Sequence, residues 1–178
     1  MSADYFAFYD LPESFLPDEK ALKAKYYSLS RQYHPDFHAT AEPEEQERML
    51  DLSTQNTNAY RTLSNFDLRL QYILQRHGLL EEGKQDLPND FLMEVMELNE
   101  QLMELEFETD PAIASTVQSE VERLENELEA EARPVLTSYV DLPEEQRPAA
   151  LLQVRTYYLK RRYLLRIRES LSKFATRS

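Results

Sequence analysis

PDEKALKAKYYSLSRQYHPD, Pro17 to Asp36, is the stretch on which the fold turns. Pro17-Asp18-Glu19 supplies a helix start with acids in the first turn. Leu22, Tyr26, Leu29 and Tyr33 then recur at spacings of four, three and four, an apolar stripe on a single helix. The stripe stops at Tyr33-His34-Pro35-Asp36, because proline excludes its predecessor from α geometry and has no N–H to continue the ladder. On the opposite face Lys23, Tyr27 and Arg31 align, with Lys20 beside them, so a cationic strip leads toward the tripeptide. An isolated His-Pro-Asp is explained well enough as a helix stop. Here a loop, Phe37 to Pro43, follows, and from about Glu44 the helical period returns through Met49, Leu52, Asn56, Ala59, Tyr60 and Leu63. The tripeptide is therefore expected at the corner of an antiparallel helical hairpin. Such a corner suits docking: the strip steers and pairs with an acidic groove, while Pro35 fixes the turn that presents an imidazole and a carboxylate.

Outward from the hairpin, Tyr5 to Tyr9 is a short helical segment ending at Leu11-Pro12, and Asn65-Phe66-Asp67 restarts a helix through Leu68, Leu70, Tyr72, Ile73 and Leu74. His77 to Pro88 holds both glycines and reads as a linker. Beyond it, Asn89 or Asp90 is expected to cap a helix running to about Phe107. Asp110-Pro111 opens a second helix and Pro143 a third. Ile113, Val117, Val121, Leu124, Leu128, Val135 and Tyr139 stay on one face past Pro134, which predicts a kink there, with two separate helices as the alternative. Three such helices joined by short turns make an up-down bundle.

Composition agrees with an all-α protein. The 178 residues include 2 Gly and 9 Pro, which starves turns needing positive φ, and long stretches are rich in Glu, Leu, Ala, Lys and Arg. A net charge of −13 argues against phosphate-backbone binding as the main activity, since that affinity comes from basic residues releasing counterions. Without cysteine there is no disulfide, no thiolate nucleophile and no thiolate metal site. Neither a signal-length apolar run at the N-terminus nor a membrane-spanning run later is present, which leads us to expect a soluble cytoplasmic protein.

The segment Phe91-Leu92-Met93-Glu94-Val95-Met96-Glu97-Leu98-Asn99-Glu100-Gln101-Leu102-Met103-Glu104-Leu105 has more apolar residues than one buried face needs. Phe91, Val95, Leu98, Leu102 and Leu105 form a stripe suited to a core. Leu92, Met96 and Met103, with Met93 at the margin, form a second stripe about 100 degrees away, bordered by Glu97, Glu100 and Glu104. Methionines rimmed by carboxylates suit an adaptable protein-binding surface, because flexible thioethers fit irregular apolar patches and the acids select a basic rim. Spacing alone leaves open the other reading, in which the remaining helices of the bundle cover both stripes.

Residues 4 to about 76 resemble a J domain, with its signature at His34, Pro35 and Asp36 and a return helix carrying Gln55-Asn56-Thr57-Asn58-Ala59-Tyr60-Arg61-Thr62-Leu63. Phe-Leu-Met-Glu followed by Glu-Leu and regularly spaced acids, placed just after it, is similar to the HscB family of iron–sulfur co-chaperones. The resemblance covers nearly the whole chain, weakly in the middle helix. It implies an N-terminal J domain over 1–76, a linker over 77–89 and a C-terminal three-helix bundle over 90–178, in an L-shaped two-domain arrangement. It also implies the activity: stimulation of a DnaK/HscA-type chaperone ATPase and delivery to it of an IscU-type scaffold for cluster transfer. By the same resemblance Lys23, Tyr27, Arg31, His34, Pro35 and Asp36 meet the chaperone. Leu92, Met93, Met96, Glu97, Glu100 and Glu104 meet the scaffold, joined from the last helix by Leu159 or its neighbour Tyr158. Unlike general J proteins, the chain has no Gly/Phe-rich tract and no cysteine-rich zinc region, which points to a specialised client.

Rival readings are weaker. His34 and His38 with Asp36 between them suggest a metal-dependent hydrolase, but Pro35 prevents the two histidines from sharing a helix face, and no second ligand pair accompanies His77. No glycine-rich loop cradles a phosphate, so the ATPase belongs to the partner, and neither a cofactor nor intrinsic catalysis is expected. A helical nucleic-acid-binding protein would use Arg155, Lys160, Arg161, Arg162, Arg166 and Arg168, yet these surround their helix instead of forming one stripe, which favours pairing with acidic neighbours. A J-domain protein with a different specialised client remains the alternative.

Overall fold

The computed structural model describes residues 4–80, 87–107 and 110–175, and among them there is helix and no strand. Contacts divide the chain into two units, Met1–His77 together with Tyr139–Asp141, and Gly78–Ser138 together with Leu142–Ser178. Residues 81–86, the middle of the expected linker, lie outside the described residues.

The first unit begins with α1 (Tyr5–Phe8), capped by the Asp4 carboxylate, which accepts from the N–H groups of Phe6 and Ala7. Asp10 follows at φ 54°, a left-handed conformation that aspartate tolerates better than most residues, and the chain turns there. The long elements are α2 (Glu19–Gln32), capped by Asp18, and α3 (Pro43–Ser64); the 3-10 turn Pro35–Phe37 stands between them. Next, α4 (Phe66–Arg76) is capped by Asn65, whose side chain accepts from the Leu68 N–H at 2.9 Å, and it stops at Gly78, φ +67°, in the left-handed position that ends many helices.

Leu22, Phe6, Phe15, Ala59, Leu63, Leu70, Ile73 and Leu74 fill the interior of this unit. Asn56 ties three helices together within it. Its Nδ2 donates to the Tyr26 carbonyl (3.1 Å) and to Ser30 Oγ (3.0 Å), and its Oδ1 accepts from the Tyr9 hydroxyl (2.8 Å). Tyr26 also stacks on Tyr60 at 4.3 Å, fixing the inner face of α2 on α3. Arg69 is buried, donating from Nε to the Phe15 carbonyl at 2.9 Å and from Nη1 to the Leu63 carbonyl, one of the orphan acceptors at the end of α3. Burial pulls its guanidinium below the ordinary value, with Glu19 opposing. The turn Tyr139–Asp141 completes the unit: the Tyr139 ring lies 4.7 Å from Phe15, and its hydroxyl donates to Glu13 Oε1 at 2.8 Å.

The second unit is a bundle of α6 (Met96–Phe107), α7 (Pro111–Ser138) and α8 (Arg147–Ala175), preceded by the short α5 (Asn89–Glu94). Phe91, Val95, Leu98 and Leu105 are buried, as are Val117, Val121, Leu124, Leu128 and Leu136 of α7 and Val154, Tyr157, Leu164 and Ile167 of α8. Pro134 sits inside α7 without ending it. Three expectations need correction. The helix expected from Asn89 or Asp90 to Phe107 is broken at Val95 (φ −90°, ψ 1°). Both the Asn99 N–H (3.1 Å) and the Asn99 side-chain amide (2.8 Å) draw on the Val95 carbonyl, a side-chain competition of the kind that bends helices. Its cap is Pro88, and neither Asn89 nor Asp90; Asp90 stands within the first turn, where its carboxylate accepts from the Phe91 N–H at 2.8 Å. Pro143 opens a 3-10 turn, Glu144–Gln146, and α8 starts after it at Arg147, with Pro148 in its first turn where a missing N–H costs nothing.

Candidate functional site

Helix α2 ends at Gln32, and His34 leaves helical geometry (φ −65°, ψ 128°) because Pro35 follows. His34 then caps the 3-10 turn: its Nδ1 accepts from the Asp36 N–H at 3.2 Å, which leaves Nε2 to carry the ring proton as a donor for another molecule. The Asp36 carboxylate is 85% exposed and lies 3.7 Å from the same Nδ1. His38 closes the corner through Nε2, 2.8 Å from the Gln32 carbonyl, and Gln46 of α3 holds the following loop by donating to the carbonyls of Ala39 (3.2 Å) and Ala41 (2.8 Å). The rings of His34 and His38 thus serve opposite ends of one turn. His34, Pro35 and Asp36 are all exposed, in a corner that interrupts the helix.

Lys23, Tyr27 and Arg31 are exposed on the outer face of α2, as is Lys20, and none of the three cations has an ion-pair partner among the described residues. The stacked Tyr26 and the buried Leu22 hold the opposite face of the helix inward, so the strip cannot rotate away. Phe37, which the sequence reading passed over as loop, belongs to the same corner: it is 69% exposed, and its ring meets that of His34 edge-on at 5.9 Å.

A second surface lies on α5 and α6. Leu92, Met93, Met96 and Met103 are exposed, and so are Glu97, Glu100 and Glu104, while Phe91, Val95, Leu98 and Leu105 are buried and Leu102, expected with them, is only half-buried. The bundle therefore covers one apolar stripe and leaves the other open. Leu159 does not join it. Leu159 is 4% exposed and Tyr158 3%, both inside the bundle, because α8 packs against α6 and α7 at once and its wide apolar arc is used on both. Among the described side chains of α8, the exposed large apolar one is Leu152. Phe107, the last residue of α6, is a further exposed apolar side chain that the stripe analysis stopped short of.

Between α6 and α7 runs a polar groove of about 630 Å³, lined by Glu94, Glu97, Gln101, Ser119, Glu120 and Arg123 among others. Arg123 there pairs with Glu94, Glu120 and Glu127, and its hydrogen bond holds the Glu120 carboxyl below the usual range. The cations of α8 are likewise engaged within the unit. Arg155 donates to the Leu79 carbonyl (2.8 Å), Lys160 lies over Phe91 (5.2 Å), Arg162 over Tyr158 (5.6 Å), Arg166 over Tyr163 (5.4 Å), and Arg168 pairs with Glu125 (2.6 Å). They do not form a phosphate-binding face. No helix among the described residues is long and apolar enough to cross a membrane.

Residues 87–172 match the family model described as the HSCB C-terminal oligomerisation domain. The structure is similar to the crystal structure of human co-chaperone protein HscB, with 28% sequence identity and a TM-score of 0.70, covering 96% of this chain and 81% of that one. It also shares its fold with the chaperone HscB from Vibrio cholerae, at 24% identity and a TM-score of 0.61, covering 97% of this chain and 99% of that one.

Proposed function

This chain belongs to the HscB family of co-chaperones, and from that premise we propose that it stimulates the ATPase of a DnaK/HscA-type chaperone and brings to it an IscU-type iron–sulfur scaffold. The observation that carries the reading is the exposed His34-Pro35-Asp36 corner at the end of a helix whose outer-face cations Lys20, Lys23 and Arg31 have no ion-pair partner among the described residues. Lys23 and Arg31 draw an acidic groove of the chaperone onto α2, Tyr27 lies between them, and the corner then presents the His34 Nε2–H and the Asp36 carboxylate together. Binding of this kind accelerates hydrolysis by favouring one conformation of the partner, and all the phosphoryl chemistry stays in the partner. Leu92, Met93 and Met96 hold the client through apolar contact, with Glu97, Glu100 and Glu104 selecting a basic rim. We assign the J domain to 1–76, the linker to 77–89 and the client-binding bundle to 90–178.

A single-turnover ATPase assay, run with and without scaffold, tests the first half. His34→Gln is expected to abolish stimulation while helical content and scaffold binding persist, since the His34 side chain is half exposed and supports no core contact. Stimulation that survives this substitution refutes the docking role of the corner. For the second half, Leu92→Ala with Met96→Ala is expected to lose the scaffold and keep basal ATPase stimulation.

A further inference from the structure

We infer that the client surface runs the full length of α6, with Met103, next to Glu104, and Phe107, beyond it, as apolar anchors; this rests on the client-binding reading above. Met96, Met103 and Phe107 are seven and four residues apart, a spacing that keeps them on one face of a helix. Met103 is 62% exposed and Phe107 88%, the latter the most exposed large apolar side chain among the described residues. The helix cannot turn this face inward, because Leu98 and Leu105 on its other side are already buried in the bundle. From Met96 to Phe107 the helix rises about 16 Å, so the open stripe matches an elongated apolar strip on the partner.

Charge selects the occupant. Positions 89–105 carry Asp90, Glu94, Glu97, Glu100 and Glu104 and no Lys, Arg or His. Such a border repels nucleic-acid phosphate and anionic lipid, and a second copy of the same face would set acids against acids. What fits is a protein whose apolar strip is rimmed by lysines and arginines, and we assign that chemistry to the scaffold's docking face. The methionines supply adaptable contact, and Phe107 supplies the large aromatic area that tends to dominate binding energy.

Calorimetric titration of the full-length protein with an IscU-type scaffold tests this. Phe107→Ala is expected to weaken binding about ten-fold, Met103→Ala less, and Phe107→Met to recover most of the loss, as for the truncation of a central interface residue. Leu50→Ala, exposed on α3 of the first unit, is expected to leave affinity within about two-fold, and added salt to weaken the wild-type complex. If Phe107→Ala and Met103→Ala bind as wild type while Leu92→Ala with Met96→Ala does not, the surface ends at Glu104 and the client reading stands. If the wild-type chain takes up no scaffold, the client reading fails and this inference with it. Sedimentation that shows self-association abolished by Phe107→Ala gives the stripe to a second copy and overturns the assignment.

Discussion

Replacing Asn56 by alanine should loosen the helical hairpin beneath the docking corner by an amount that the geometry lets us estimate. The side chain is 1% exposed and makes three hydrogen bonds, to Tyr9, Tyr26 and Ser30. None of the three partners is wholly orphaned by its loss: the Tyr9 hydroxyl still reaches the Asn56 carbonyl at 3.1 Å, the Tyr26 carbonyl lies within α2, and the Ser30 hydroxyl is free to rotate. The cost is therefore near the net worth of three hydrogen bonds, about 1 kcal/mol each, or roughly 3 kcal/mol. For a unit of this size that corresponds to a melting midpoint lower by roughly 12 to 24 °C. Tyr9→Phe leaves Asn56 Oδ1 without its donor and should cost about 1.5 kcal/mol. The double variant should cost about 1 kcal/mol less than the sum, because the two groups share a bond. Native-state hydrogen exchange of α2 and α3 amides reads the first unit by itself and avoids assuming that both units unfold together. Additive losses, or an Asn56→Ala variant as stable as wild type, would show that this network does not hold the hairpin.

Arg69→Met should destabilise the first unit by about 2 to 4 kcal/mol, because the carbonyls of Phe15 and Leu63 lose their donor in a buried site, and Arg69→Lys should not restore it, since one ammonium cannot reproduce the fork; unchanged urea midpoints would contradict this. Alkaline pH should also weaken the fold. Burial raises the phenol pKa of Tyr9 and of Tyr72, so the folded chain stays neutral where the unfolded chain ionises. Their contribution is complete below about pH 10 and falls above it, for each tyrosine by at most about 1.4 kcal/mol per pH unit until its folded-state pKa is passed. Thermal melts between about pH 8 and 11.5 should show the decline, with a shallower slope in Tyr9→Phe; parallel curves would refute the assignment. Phe37→Ala should raise the concentration of this protein needed for half-maximal ATPase stimulation several-fold and spare the maximum, as expected of an exposed aromatic contact beside the corner. A lowered maximum with an unchanged half-saturation point would instead make Phe37 a support for His34.

The exposed corner and the divided stripes of α5 and α6 were legible before any coordinates because both follow from short-range geometry. Proline at 35 excludes helix at 34 whatever surrounds it, and a 3.6-residue period sorts Phe91, Val95, Leu98, Leu102 and Leu105 from Leu92, Met96 and Met103, although Leu102 is only half-buried. The same reasoning failed for α8. Leu159 and Tyr158 lie on a helix apolar on more than one face, and periodicity cannot say how much of that arc its neighbours cover. Two adjacent helices cover both residues there, whereas α6 keeps one stripe open.

What the amino-acid order determined by itself was where helices start, stop and turn, since caps, prolines and apolar spacing act within a few residues. Tertiary structure alone decided that the second apolar stripe is left in solvent, that Asn56 and Arg69 become the polar ties of the first unit, and that Tyr139–Asp141 belongs to that unit at all. The reason is physical: hydrogen-bond satisfaction and burial are properties of partners brought together from 47 or 126 positions away, and no local pattern carries their identity.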